Sequence, residues 1–246
     1  MSVLRDIAAA ISWMTVIAMP SGDDVRPVRW FPFVGWIFAG VALAIASAGT
    51  IIGDGFFGQF VIGWGIVGTW ALVSRFLHWD GLSDTADAIW GAHDPARRLE
   101  IMRDSRTGSF GALAVTLIAV GQIIAVTAVF ASGDWWALMA APVLGRLAST
   151  AALWTIKPAR AEGLAARLAG GEGVLAWVVA LVVCAGLLIA PTPERLMLFA
   201  LGLAVAILGP RVMARSVGGI TGDILGASVL LVETTVLVGA ALISGV

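Results

Sequence analysis

Between His78 and Asp87 the chain reads His-Trp-Asp-Gly-Leu-Ser-Asp-Thr-Ala-Asp, gathering three carboxylates and an imidazole at the end of an apolar run. On a helix, Asp80, Asp84 and Asp87 fall at i, i+4 and i+7 and project from one face. Carboxylates so placed repel one another unless a cation holds them. Hard oxygen donors suit Mg²⁺, which keeps several waters and is completed by substrate phosphates. The pattern predicts a metal site for phosphate chemistry; a capped, solvated helix start would use the same residue types.

Two further constellations have the same polarity. Arg97 to Gly111 holds Arg103, Asp104, Ser105, Arg106 and Gly108 just before an apolar segment. A Ser/Thr/Gly turn at a helix N-terminus offers free N–H groups and a positive dipole end, so with two arginines beside it the stretch predicts an anion cradle suited to a pyrophosphate. A basic loop at a membrane edge is the alternative. Gly218-Gly219-Ile220-Thr221-Gly222-Asp223 predicts a tight turn capped by Thr221 or Asp223, able to present a carboxylate and N–H groups to a metal-bound phosphate. Arg146 and Glu233 stand inside apolar segments, both roughly 15 Å from the same side. Charges at that depth point to a functional site or to each other.

The surrounding elements must be membrane helices. The chain is 246 residues long, 59% hydrophobic and 13% charged, with net charge −1 and mean hydropathy +0.96, far from the balance of a soluble domain. The expected fold is all-α and polytopic, a single integral membrane catalytic domain over residues 1–246. Seven spans are predicted, at Phe31 to Ile52, Phe60 to Leu77, Phe110 to Ala131, Trp135 to Thr155, Val174 to Ala190, Arg195 to Ala214 and Ile224 to Ser244. Val3 to Met19 is interrupted by Arg5, Asp6, Ser12 and Thr15 and predicts an interfacial or re-entrant helix. Twelve of the fifteen basic residues fall on one side if these spans alternate, which makes the motif side cytoplasmic and puts Val246 outside. Trp30, Trp135, Trp136 and Trp154 read as interfacial belt residues. Gly63-Trp-Gly65-Ile-Val-Gly68 lies within a span without βαβ context and reads as small-residue helix packing. The lone Cys184 excludes an intrachain disulfide or a thiolate metal site. Topology accounts for the basic loops, so no nucleic-acid partner is expected; membrane lipid is, and a homo-oligomer stays open.

Three motifs in order, His78-x-Asp-Gly-Leu-x-Asp-Thr-Ala-Asp87, Arg98-Leu-Glu-Ile-Met-Arg-Asp-Ser-Arg-Thr-Gly108-x-Phe-Gly111 and Gly219-x-Thr-Gly-Asp-x-Leu-Gly-Ala227, closely resemble the cobalamin synthase family, the adenosylcobinamide-GDP ribazoletransferases. Trp79, Ala88 and Arg75 depart from the family pattern without removing a candidate ligand. The resemblance implies a bacterial inner-membrane enzyme with cytoplasmic active-site loops. Such an enzyme attacks the phosphate on the aminopropanol arm of adenosylcobinamide-GDP with a hydroxyl of α-ribazole or its 5'-phosphate, releases GMP and requires Mg²⁺. It implies Asp80, Asp84 and Asp87 as Mg²⁺ ligands with Asp223 as a further one, and His78 or Asp87 as base. Arg103, Asp104, Arg106 and the Ser105 to Gly108 turn would hold the pyrophosphate, with Thr221, Gly222, Arg146 and Glu233 lining the substrate site. A CDP-alcohol phosphotransferase shares the Asp-Gly start but has Ala-Arg where Asp84-Thr85 stand. A transporter would account for Arg146 and Glu233 but lacks an inverted repeat.

Overall fold

The computed structural model describes residues 3–20, 22, 25–51, 55–104, 106–169 and 173–245. Among them the regular structure is helical: α1 (Val3–Met14), α2 (Phe31–Gly49), α3 (Phe56–Val73), α4 (Leu77–Gly91), α5 (Pro95–Ile101), α6 (Ser109–Ser132), α7 (Trp136–Thr155), α8 (Leu164–Leu168), α9 (Gly173–Ala185), α10 (Pro193–Arg215) and α11 (Gly222–Ser244). Six of these, α2, α3, α6, α7, α10 and α11, are long and apolar enough to cross a membrane. The expected span end at Ile52, the cradle residue Ser105 and the terminal Val246 lie outside the described residues.

The fifth expected span is shorter than predicted. It is α9 followed by a 3₁₀ turn at Gly186–Leu188, about 26 Å in all against a hydrocarbon core of about 30 Å. Connectivity still makes it traverse the bundle. Arg195 at the start of α10 pairs with Asp134 just before α7, 2.8 Å apart, so both helices begin at one end and the chain leaving α7 must return there. Trp154 near the far end of α7 meets Trp177 edge-on, while Trp136 at the near end donates to the Leu187 carbonyl at 2.9 Å. Trp36 donates to the Val183 carbonyl at 3.0 Å. These indoles meet carbonyls that a terminating helix orphans and that hydrocarbon could not hydrate. Trp136 is therefore a buried strap between helices instead of a belt residue.

Helix α7 is the hub, with α2, α10 and α11 packed on it and seventeen of its twenty residues buried. Its small residues, Ala140, Ala141, Gly145, Ala148 and Ala152, let neighbours approach closely, as membrane helix packing requires. The twelve residues of α1 span only about 18 Å, too short to cross. The helix lies against α2, and its buried Asp6 carboxylate accepts the Arg26 amide at 2.8 Å. Within Gly63 to Gly68 only Gly63 is a close-packing position, where an added Cβ would crowd Thr127 and the Ile123 carbonyl on α6.

Candidate active site

Helix α4 carries the carboxylates, and its entry is set by an unusual turn. Arg75 and Phe76 both adopt left-handed backbone conformations, with φ of 54° and 56°, uncommon for residues with side chains. The turn folds α4 back against α6 and α11. Two glycines set the α4–α11 distance. A Cβ at Gly81 would lie 2.6 Å from the Asp223 carbonyl, and one at Gly226 would lie 3.1 Å from the His78 Cα. This close approach brings Asp223 to the acidic face of α4.

At about 100° per residue, Asp80, Asp84 and Asp87 share one sector of α4 and His78 lies on the opposite side. The structure follows that geometry. His78 is buried in the bundle, with Nε2 3.4 Å from an Arg146 guanidinium nitrogen; a guanidinium only donates, so Nε2 is the acceptor. Asp87 is also buried, and its carboxylate accepts the Gly108 amide at 2.7 Å and the Gly111 amide at 2.8 Å. It thereby caps the N-terminus of α6 from another helix, placing an anion where the dipole favours one. Side chains at Gly108 or Gly111 would occupy the space of that carboxylate. The N–H groups read from sequence as a pyrophosphate cradle thus hold Asp87. Both residues carried as candidate bases point into packing.

Asp80 and Asp84 remain at the surface of the bundle end with Asp223. Burial, then Asp80, Asp223 and Asp87, push the Asp84 carboxyl up to about 7. Thr221 resolves the capping alternatives at α11, its hydroxyl accepting the Ile224 amide at 3.2 Å. Beside Asp223 opens a cleft of about 170 Å³ lined by Arg160, Glu162, Thr221, Gly222 and Asp223. Arg160 donates to the Leu99 carbonyl at 2.6 Å, and both Arg103 and Asp223 act on its charge. The cleft forms because Pro158 and Ile220 make a parallel bridge, with Ala159 N–H to the Ile220 carbonyl and Ile220 N–H to the Lys157 carbonyl, each 2.9 Å. Among the described residues, no three His, Cys, Asp or Glu side chains converge to hold a metal unaided. The donor set nonetheless fits Mg²⁺, which takes one or two carboxylates and completes its shell with water and phosphate.

The second motif divides. Arg103 is exposed near Arg160, but Arg106 turns onto Asp104, 2.6 Å away, and holds the Asp104 carboxyl down at about 2. Arg98 bonds the Ile89, Ala92 and Ser216 carbonyls, tying the end of α4 to the turn after α10. In the sequence Arg160 is only one basic loop residue among twelve.

Deeper in the bundle, Arg146 and Glu233 face each other in a buried ion pair. The guanidinium lies 3.8 Å over the Phe38 ring and also donates to the Pro142 carbonyl. Buried Gln122 continues the layer, donating to Thr234 at 3.0 Å. Neither charge lines the Arg160–Asp223 cleft. The pair joins α7 to α11, with His78 adding α4.

Fold and site together define a polytopic helical membrane protein with a cleft at one end of its bundle that sets an arginine among carboxylates. A model of the cobalamin-5-phosphate synthase family matches residues 6–241, and the chain belongs to that family. The adenosylcobinamide-GDP ribazoletransferase of Chlorobium chlorochromatii (strain CaD3) is 33% identical over 251 residues, covering 98% of this chain and 97% of its own. That of Azorhizobium caulinodans is 37% identical over 252 residues, covering 96% and 95%. That of Syntrophobacter fumaroxidans is 33% identical over 247 residues, covering 94% and 96%. No solved structure matches the chain.

Proposed function

We propose that the chain is an adenosylcobinamide-GDP ribazoletransferase, joining adenosylcobinamide-GDP to α-ribazole or its 5'-phosphate with release of GMP. Family membership supplies the substrates. The observation that carries the chemistry is the half-buried Asp84 among Asp80, Asp223 and Asp87, with Asp223 also lining the cleft that holds Arg160. Phosphoryl transfer needs positioning and charge neutralisation more than covalent help. Asp80, Asp84 and Asp223 would hold Mg²⁺, which when bound supplies charge neutralisation at the pyrophosphate oxygens. Arg160 from the cleft wall, and exposed Arg103 beside it, orient the phosphates. Asp87 keeps α6 against α4, and the Arg146–Glu233 pair keeps α7 against α11, so both act by fixing the frame.

The clustering of basic residues at the cleft end favours a cytoplasmic orientation in a bacterial inner membrane. A transporter reading loses its motive because the two deep charges satisfy each other. Purified protein should release GMP from adenosylcobinamide-GDP only when both α-ribazole and Mg²⁺ are present. GMP release without acceptor would make it a hydrolase, and turnover of CDP-diacylglycerol with simple alcohols in place of these substrates would overturn the assignment.

A further inference from the structure

The ends of α7 and α10 and the Gly218-Gly219 turn border a second, open cavity of about 380 Å³ whose charged lining, among the described residues, is Lys157, Arg211 and Arg215 with no carboxylate. Arg211 is held in place by Thr155 Oγ1 at 3.0 Å and by the Ile207 carbonyl. Among the described residues, the side chains of Lys157 and Arg215 have neither a hydrogen bond nor an ion pair. Three cations facing one cavity repel one another, and an anion relieves that repulsion.

The flank of α10 indicates where the anion comes from. Leu201, Leu208, Val212 and Arg215 follow at spacings of seven, four and three and share one face. The three aliphatic members are exposed, Leu208 at 58% and Val212 at 63%. An aliphatic stripe along a membrane helix that runs up to a basic cavity at its end matches an amphiphile, with acyl chain on the stripe and headgroup among the cations. Basic pockets between membrane helices at this level bind anionic headgroups.

We propose that this cavity is a binding site for the phosphate of an anionic phospholipid. It is distinct from the Arg160–Asp223 cleft, yet its lining residues Lys157 and Gly219 lead directly through the Pro158–Ile220 bridge into Arg160 and Thr221. A bound headgroup therefore steadies the segment that carries the cleft arginine.

The test is native mass spectrometry of the full chain titrated with phosphatidylglycerol and, separately, phosphatidylcholine, with and without millimolar inorganic phosphate. Wild type should bind phosphatidylglycerol more tightly, and inorganic phosphate should not displace it. Lys157→Gln/Arg215→Gln removes two exposed, unpartnered cations, so the fold is retained, checked by an unchanged unfolding temperature in phosphatidylcholine nanodiscs. The double variant should bind phosphatidylglycerol about twenty-fivefold more weakly, taking roughly fivefold for each basic residue. Equal binding of the two lipids by wild type, or undiminished binding by the variant, overturns the proposal. Displacement by inorganic phosphate would reassign the site to a soluble phosphate and overturn the lipid source. None of these readouts needs turnover, so they stand apart from the assigned reaction.

Discussion

Asp84→Asn and Asp87→Asn remove the same charge from the same helix face three residues apart, yet the structure requires opposite effects on stability. Asp87 accepts two amides at the N-terminus of α6. Asparagine keeps one acceptor, turns a donor onto the other amide and removes the charge facing the helix dipole. Losing one charge-assisted hydrogen bond costs about 1.5–3 kcal/mol, and the dipole contribution in a partly buried setting reaches about 2 kcal/mol. The expected loss is about 2–5 kcal/mol, or roughly 5–15 °C in unfolding temperature. At Asp84 the sign reverses. Its carboxyl stands at about 7 in the fold against an ordinary 3.8, so the folded form keeps a proton that the unfolded chain releases, and stability falls as pH rises between those values. The full difference corresponds to about 4 kcal/mol. Because Asp84 is only half-buried, solvent screening reduces this to on the order of 1–2 kcal/mol. Without Mg²⁺, Asp84→Asn should therefore raise the unfolding temperature at pH 8 and leave it nearly unchanged near the acid end of that window. Thermal unfolding in nanodiscs at both pH values measures it. An unchanged unfolding temperature for Asp87→Asn, or a fall for Asp84→Asn at pH 8, would refute the reasoning.

Mg²⁺ should stabilise wild type more at pH 8 than at pH 6, because ionising Asp84 completes the negative field around Asp80 and Asp223; calorimetric titration at the two pH values decides, and equal affinity would argue against carboxylate binding there. Arg160→Ala should raise KM for adenosylcobinamide-GDP by about tenfold or more, as for losing one charged hydrogen bond, whereas Arg106→Ala, already paired with Asp104, should change it little; steady-state kinetics reversing that order would move the phosphate site. Glu233→Gln should cost about 3–5 kcal/mol by leaving Arg146 buried and unpaired, while Arg146→Met/Glu233→Leu should recover most of the loss; an unfolding scan in which the double variant is no better than the single would show that the pair is not the source.

What the sequence disclosed and what it hid differ in range. Apolar length locates the crossings, and equal depth offers Arg146 and Glu233 either a functional-site role or each other as partners, of which the structure makes the pair. Hydropathy overextended α9, since it cannot register that Trp36 and Trp136 cap carbonyls near its end from other helices. Adjacency groups His78 with the aspartates, although the helical period sets it on the opposite side. Asp87 was legible as one of three on a face, but its engagement depends on amides twenty-one and twenty-four residues later. Arg160 carried no local signal. Only the bridge to Ile220 makes it a neighbour of Asp223, and pairing across about sixty residues leaves no mark on composition or spacing.

The Arg146–Glu233 pair also imposes an order on biogenesis. The two residues are 87 apart in the chain, and a ribosome at about 5–20 residues per second needs about 4–17 s to cover that interval. Throughout it α7 has emerged with an arginine whose exposure to lipid costs about 2.5–3.5 kcal/mol, and its partner does not yet exist. The nascent α7 must therefore be sheltered by the insertion machinery or by α2, already made and carrying Phe38, until the last helix arrives. A chain interrupted before α11 is left with a hub that has no counter-ion, a defect that membrane quality control can recognise before any active site has formed.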